Sequence, residues 1–174
     1  LALASFALTS IPLQIEAAPT SVTIKTREVT APSIALSPDG QTLVIGMLGH
    51  LFELPVDGGH TTQLTFGPSY DSDPAISPDG RRIAFTSNRD GSGSNIFVLD
   101  RASKRVSQIT HDIESSRAAW SPDGQTLAYT RHVPRDQHPL ELIPGFGDTG
   151  LRELRTVSLA DGSSVAVGGP QAIE

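Results

Sequence analysis

Short apolar runs separated by turn residues recur along the middle of the chain, and their order repeats. One copy shows the pattern clearly, with runs at 74–77, 82–86, 95–99 and 105–109. Each run has the length of a β-strand, and the residues between the runs are rich in Gly, Pro, Asp, Asn and Ser, which favour turns. The pattern therefore predicts four short strands in each repeat.

Each repeat contains the tetrapeptide Ser-Pro-Asp-Gly, which begins at Ser37, Ser77 and Ser121. The copies are 40 and 44 residues apart, close to the roughly 40–45 residues of a four-stranded propeller blade. Pro presets φ at the first central turn position, Asp tolerates the second, and Gly adopts the left-handed conformation. Because the same Asp recurs in every turn, we assign these residues to folding rather than to catalysis. The structural turn residues are Pro38, Asp39, Gly40, Pro78, Asp79, Gly80, Pro122, Asp123 and Gly124.

The order of motifs within the repeat resembles the WD-like repeat of TolB-type propellers. Ser-Pro-Asp-Gly and an apolar strand are followed by 86–91, then by 95–100 and by Gln108-Ile-Thr110, and the likeness runs from Ile24 to Gly169. The resemblance implies an all-β fold, a partial β-propeller of three four-stranded antiparallel blades that is part of a six-bladed ring. The blades are expected at 31–71, 72–115 and 116–170.

Three blades do not close a ring, since propellers have at least four. An open ring leaves strand edges and blade faces exposed. We therefore expect the chain to continue or to associate, and a self-contained three-blade protein that oligomerises into a closed ring is the competing interpretation.

Among proteins with TolB-type propellers, the resemblance of the run from Ser33 to Leu99 is strongest to the N-terminal propeller of exported amidohydrolases. Similar propellers occur in periplasmic TolB and in prolyl-oligopeptidase-type and tricorn-type peptidases. The amidohydrolase resemblance implies that the metal ligands lie in a later TIM-barrel domain. We therefore expect no catalytic residue, no metal site and no cofactor in this segment.

Residues 1–18 are predicted to be a truncated signal peptide, because an apolar run precedes small residues at Ala17 and Ala18 while a basic n-region is missing. A buried helix or a membrane anchor is the alternative, but the run is shorter than the ~20 residues that a membrane span needs. Residues 19–30 are predicted to be a lead-in strand or linker. This pattern favours export to a bacterial periplasm and argues against a stable membrane span.

Charge and composition limit the kinds of partner and ligand that the chain is expected to bind. The 174 residues carry a net charge of −6, and Lys and Arg cluster no further than pairs such as Arg81-Arg82. This balance argues against a nucleic-acid partner. The absence of Cys excludes disulfides and thiolate metal sites.

Blade 3 contains a predicted inserted loop at 131–151, since its second-to-third strand connection is about twenty residues longer than in blade 1. Long loops on rigid scaffolds often carry binding residues. A metal site built on two His and two carboxylates is one interpretation, but the His-x5-His spacing matches no recognised zinc motif, and a solvated loop is favoured. The candidate binding residues are His132, Arg135, Asp136, His138 and Glu141.

The sequence contains no recognised catalytic motif. Gly145 to Gly150 matches G-x-G-x-x-G but follows Pro144 in a loop rather than a strand. We therefore predict a non-catalytic scaffold or interaction domain, the N-terminal accessory part of a larger exported hydrolase whose partner is a downstream domain. A TolB-like propeller that binds cell-envelope proteins and the propeller of a prolyl-oligopeptidase-type peptidase are the alternatives.

Overall fold

A computed structural model describes residues 33–112, 114–133 and 152–167, and the regular elements in these ranges are β-strands. The predicted signal peptide at 1–18 and the lead-in segment at 19–30 lie outside the described residues, as does most of the predicted loop at 131–151. Within the described ranges, no helix is long and apolar enough to cross a membrane.

The described residues form three four-stranded sheets, which we number as blades 1, 2 and 3. Blade 1 consists of β1 (Ser33–Leu36), β2 (Thr42–Met47), β3 (His50–Pro55) and β4 (Thr62–Gln63). Blade 2 consists of β5 (Asp71–Ile76), β6 (Arg82–Ser87), β7 (Asn95–Asp100) and β8 (Val106–Gln108). Blade 3 consists of β9 (Ser115–Trp120), β10 (Thr126–His132), β11 (Arg152–Ser158) and β12 (Ser164–Ala166).

Neighbouring strands in every sheet are antiparallel and follow the order of the chain. This architecture confirms the prediction of an all-β partial propeller with three four-stranded antiparallel blades. The strands differ from the predicted bounds at their ends. Strand β5 begins at Asp71, three residues before the predicted run at 74–77, because Asp71 pairs with Ser87. Strand β9 begins at Ser115, one residue before the predicted start of blade 3, because Ser115 pairs with Arg131. Strand β10 runs through His132 into the predicted loop, since these residues pair with β11.

Each blade has two faces, because side chains alternate between the two sides of a strand. We call the face toward the preceding blade the front face and the face toward the following blade the back face. The first interface contains Val44, Leu51 and Leu64 from the back of blade 1 and Ile83, Phe85, Phe97 and Leu99 from the front of blade 2. The second contains Ala84, Ile96 and Val98 from the back of blade 2 and Ala118, Leu127, Tyr129 and Val157 from the front of blade 3. The hydrophobic core therefore lies between blades.

Polar contacts also join the blades. The indole N–H of Trp120 in blade 3 donates to the carbonyl of Ala75 in blade 2 at 2.8 Å, and the Arg82 guanidinium lies 4.7 Å from the centre of the indole ring. Arg101 of blade 2 contacts Glu53 of blade 1 at 2.8 Å. Each interface thus combines apolar burial with a contact that fixes the position of the two sheets.

The Ser-Pro-Asp-Gly segments form the turns between the first and second strands, at what we call the lower edge. In blade 2 the N–H of Gly80, at φ 69°, donates to the Ser77 carbonyl at 2.8 Å. The buried Ser77 hydroxyl donates to Asp79 at 2.5 Å and accepts the N–H of Arg82 at 2.9 Å. Hydrogen bonds to the Asp79 carboxylate, that from Ser77 above all, lower its pKa. The same bonds recur in the other two turns.

Candidate functional site

The other edge of the blades carries a second set of polar residues, and we call it the upper edge. It comprises residues 70–73 and 115–117 at the starts of β5 and β9, residues 86–94 at and after the end of β6, and Arg152 at the start of β11. Antiparallel pairing brings the start of one strand beside the end of the next. Segments that are distant in the sequence therefore meet at this edge.

The first strands of blades 2 and 3 each contain a bulge at the upper edge. Asp73 and Arg117 have positive φ values of 49° and 58°, and the strand register shifts beside both. The N–H of Asp73 donates to the Ser33 hydroxyl at 2.9 Å, and the N–H of Arg117 donates to the Thr86 hydroxyl at 3.2 Å. Each bulge is therefore held by the preceding blade. Backbone irregularities of this kind are concentrated near functional sites.

A polar depression of about 230 Å³ lies between blades 2 and 3 at the upper edge. It offers two guanidinium groups, one carboxylate, several hydroxyls and an amide. Its lining residues are Tyr70, Ser72, Asp73, Thr86, Asn88, Ser94, Ser116, Arg117 and Arg152. The Arg152 guanidinium donates to the Ser116 hydroxyl at 3.1 Å. Hydrogen-bond donors and acceptors therefore dominate this surface.

A second depression of about 230 Å³ lies one blade away, between blades 1 and 2. Tyr70, Ser72 and Asp73 line both depressions. Tyr70 is 64% exposed, and its backbone N–H donates to the Asn88 side chain at 2.8 Å. The two depressions are therefore neighbouring parts of one polar surface, which we call the upper-edge site.

A buried ion pair supports this surface from below. The Asp71 carboxylate, whose side chain is fully buried, accepts the Ser87 hydroxyl at 2.6 Å and the Arg89 guanidinium at 2.9 and 3.0 Å. The same guanidinium lies 5.1 Å from the centre of the Phe85 ring and 5.3 Å from that of Phe97. These contacts fix the start of β5 against the β6–β7 connection. Asp71 is also one of the residues that line the second depression, and its buried carboxylate is a structural support of the upper-edge site.

The structure describes one of the five predicted loop residues. His132 is the last residue of β10, and its N–H donates to the Glu114 carbonyl at 3.2 Å. Arg135, Asp136, His138 and Glu141 lie outside the described residues, so their binding role stays a prediction. Arg152, which follows that segment, lines the depression. Among residues 33–112, 114–133 and 152–167, no cluster of His, Cys, Asp or Glu is arranged to hold a metal ion.

Sequence reasoning missed Asp73 and Arg117 as functional candidates. These residues occupy one column of the aligned repeats, together with Ser33, just before each blade's first apolar run. The column changes from a hydroxyl to a carboxylate to a guanidinium, while the columns that follow it stay apolar or keep the turn motif. Variable polar chemistry at a fixed position of a repeat was the signal available in the sequence.

Comparison with known proteins identifies the family. A model of the TolB beta propeller domain matches residues 8–149, which is more than half of the chain. The chain belongs to this family. It is 31% identical over 75 residues to the uncharacterized peptidase YuxL of Bacillus subtilis, covering 41% of the chain and 11% of that protein. It is 27% identical over 127 residues to tricorn protease homolog 1 of Streptomyces coelicolor, covering 65% of the chain and 12% of that protein.

Solved structures agree on the fold. The putative TolB of Agrobacterium tumefaciens superposes with a TM-score of 0.63 at 22% identity, covering 79% of this chain and 45% of that one. The TolB-type propeller is thus shown, whereas the predicted likeness to amidohydrolases is not. The matched relatives include a peptidase, a protease homolog and a TolB homolog. The chain spans about an eighth or less of the two peptidase relatives.

Proposed function

We propose that this propeller segment is a non-catalytic interaction domain that holds a polypeptide at its upper-edge site. The observation that carries the proposal is the repetition of one polar depression between consecutive blades, with shared residues between the two. An extended polypeptide offers hydrogen-bond donors and acceptors at a regular spacing, so it can contact both depressions at once. Pockets for drug-like small molecules are predominantly apolar instead.

The charges of the site favour a peptide with charged side chains of both signs. Asp73 and Arg117 occupy equivalent positions in consecutive blades, and both line the depression between blades 2 and 3. The exposed ring of Tyr70 offers an amphipathic surface beside them. Tyr and Arg are the residue types that most often contribute the largest share of binding energy at protein interfaces.

Peptide binding at this site is tested by fluorescence anisotropy with a labelled pool of random decapeptides. We expect Tyr70→Ala and Arg117→Ala each to weaken binding about fivefold to thirtyfold, which corresponds to the loss of a contact worth about 1–2 kcal/mol. The matched control is Arg105→Ala, since Arg105 is exposed in the β7–β8 turn at the lower edge. Equal binding by all three variants would contradict the assignment of the site.

We also propose that the segment belongs to a larger exported hydrolase, in which it positions a polypeptide for a separate catalytic domain. The printed names of two relatives, a peptidase and a protease homolog, support a peptidase partner domain. The amidohydrolase predicted from the sequence remains the alternative hydrolase. A binding propeller without a catalytic domain is the second candidate, favoured by the superposition on TolB.

The reading frame downstream of the Glu174 codon distinguishes these proposals. A domain with a G-x-S-x-G nucleophile motif supports the peptidase, and a barrel with an H-x-H strand supports the amidohydrolase. A stop codon after further blades would contradict both hydrolases and leave the binding propeller.

A further inference from the structure

The depression between blades 2 and 3 contains two guanidinium groups that no described carboxylate neutralises. Four other arginines in the described ranges each contact a carboxylate at 2.8–3.0 Å: Arg89, Arg101, Arg131 and Arg155. Within the same ranges, Arg117 and Arg152 form no ion pair, although Asp73 lines the depression with them. Both side chains are exposed. Their charge is therefore available to an anionic group that enters the depression.

Neighbouring hydroxyls hold both arginines in place. The Arg117 N–H donates to the Thr86 hydroxyl at 3.2 Å, which fixes the bulge from which the side chain extends. The Arg152 guanidinium donates to the Ser116 hydroxyl at 3.1 Å. Groups that are ordered before a ligand binds lose less conformational entropy on binding. The two guanidiniums are therefore partly preorganised.

The neighbouring depression has the same volume but a different charge. Arg117 occupies the position that Asp73 has in blade 2, and by strand register Arg152 occupies the position of Gly49. Asp73 and Gly49 line the depression between blades 1 and 2, and no Lys or Arg is among the described residues around it. The two depressions are therefore expected to hold different parts of a bound polypeptide.

The groups around Arg117 and Arg152 match a carboxylate better than a phosphate. Their two positive charges face one negative charge, that of Asp73, so a single negative ligand charge balances the depression. A carboxylate carries one charge, whereas a phosphate monoester carries about 1.5 to 2 at neutral pH. Guanidinium–carboxylate contacts are frequently bidentate, and the hydroxyls of Ser94 and Ser116 can donate to the remaining lone pairs.

We propose that this depression is a carboxylate subsite, in which Arg117 and Arg152 together bind a carboxylate of the polypeptide. The carboxylate comes from an acidic side chain or from a C-terminus. Asp73 lines both depressions and repels a carboxylate on the side toward blade 1, so a neutral or basic residue of the ligand lies there. This inference rests on the proposed function and adds the chemical group that the site selects.

Four pools of labelled decapeptides with blocked N-termini test the subsite by fluorescence anisotropy. The first has one Glu among random neutral residues and a C-terminal amide, the second has Gln in place of Glu, the third has Gln and a free C-terminal carboxylate, and the fourth has phosphoserine and the amide. The Glu pool should bind about threefold to tenfold more tightly than the Gln pool, because its hydrogen bonds to guanidinium are charge-assisted. This preference should shrink as salt is added. A preference for the third pool over the second would assign the subsite to a C-terminal carboxylate as well.

Substitutions that remove one charge assign the preference to the two arginines. Arg117→Gln and Arg152→Gln should each lower the ratio of Glu-pool to Gln-pool affinity at least twofold, whereas Arg105→Gln at the exposed lower edge should leave it unchanged. Because the ratio compares two pools on one variant, partial unfolding does not mimic its loss.

The outcomes separate this inference from the proposed function. If no pool binds the unaltered chain, both fail. If the Glu and Gln pools bind equally, if the phosphoserine pool binds most tightly, or if Arg105→Gln changes the ratio as much as the other two variants, the polypeptide site stands and the carboxylate subsite is overturned.

Discussion

The buried ion pair between Asp71 and Arg89 allows a quantitative test of how the upper-edge site is supported. Asp71→Ala removes a carboxylate whose side chain is fully buried and leaves the Arg89 guanidinium without its partner. It also leaves the buried Ser87 hydroxyl without the acceptor that lies 2.6 Å away. Removing one partner of a buried ion pair costs about 3–5 kcal/mol. Arg89 keeps 23% side-chain exposure and can be partly hydrated, so we expect a loss of about 3 kcal/mol.

Two further variants test how much of the expected loss of stability comes from the burial of the ion pair and how much from the Ser87 hydrogen bond. Glu53→Ala breaks the contact with Arg101, whose partners are each about a quarter exposed, and it should cost less than about 1 kcal/mol. Asp71→Ser introduces the residue that blade 3 has at the equivalent position, Ser115. Its hydroxyl can accept the Ser87 hydrogen bond, so this variant should lose about 1 kcal/mol less than Asp71→Ala.

Urea unfolding provides the assay, with the fluorescence of Trp120 as the signal. Trp120 is the single tryptophan in the sequence and lies at the interface of blades 2 and 3. The denaturant slope should stay unchanged, so that the midpoint reports stability directly. Adding Arg89→Ala to Asp71→Ala should cost little more, because the unpaired charge is then removed as well. Equal losses for Asp71→Ala and Glu53→Ala would refute the reasoning.

Three further predictions concern the turns and the second blade interface. Ser77→Ala leaves the Arg82 N–H without its side-chain acceptor and should cost about 1–2 kcal/mol in urea unfolding; a loss no larger than that of the exposed Thr61→Ala would contradict it. Because its folded-state pKa is lowered, Asp79 stabilises the fold above its ordinary value of 3.8, and this contribution is lost as the pH falls through the lowered value. Asp79→Asn should therefore flatten the fall in stability on acidification, and an unchanged acid profile would argue against the Ser77 hydrogen bond. Burial raises the pKa of the Tyr129 phenol above 10.0. The protonated phenol therefore stabilises the folded chain below pH 10.0, and this contribution is lost as the pH rises through the raised pKa. In Tyr70→Phe, which leaves one tyrosine, the ultraviolet titration midpoint should exceed 10.0, and a midpoint at or below 10.0 in the folded chain would contradict the burial.

Much of the fold followed from the repeat, because each copy specifies its own strands and turns locally. The Ser-Pro-Asp-Gly residues predict the turn, and the short apolar runs predict the four strands. The register that pairs Ile83 with Leu99 was not predicted, because the apolar residues at 83–85 and 96–99 are consecutive rather than alternating. The sequence did not show that the Ser77 hydroxyl closes the turn onto the Arg82 N–H. That contact depends on how the chain returns after the turn, which residue preferences alone do not specify.

The geometry of the upper-edge site could not be predicted, because the site is assembled between blades. The variable polar column that contains Asp73 and Arg117 marks the position in the sequence but not the contacts made there. The bulge at Arg117 depends on a hydroxyl from Thr86 in the preceding blade, 31 residues earlier. No local propensity predicts a positive φ at an arginine or a strand that shifts register there. The predicted binding residues were instead chosen for loop length, and Arg135, Asp136, His138 and Glu141 remain predictions.

Hydrogen–deuterium exchange with and without the decapeptide pool tests the central claim most directly, since it reports where a polypeptide contacts the chain. The account predicts slower exchange of backbone amides at 70–73, 86–94 and 115–117 when peptide is present, with unchanged exchange in the lower-edge turns at 78–81 and 101–105. Protection confined to the lower edge, or no protection at peptide concentrations that saturate the anisotropy signal, would contradict the assignment of the upper-edge site as the binding surface.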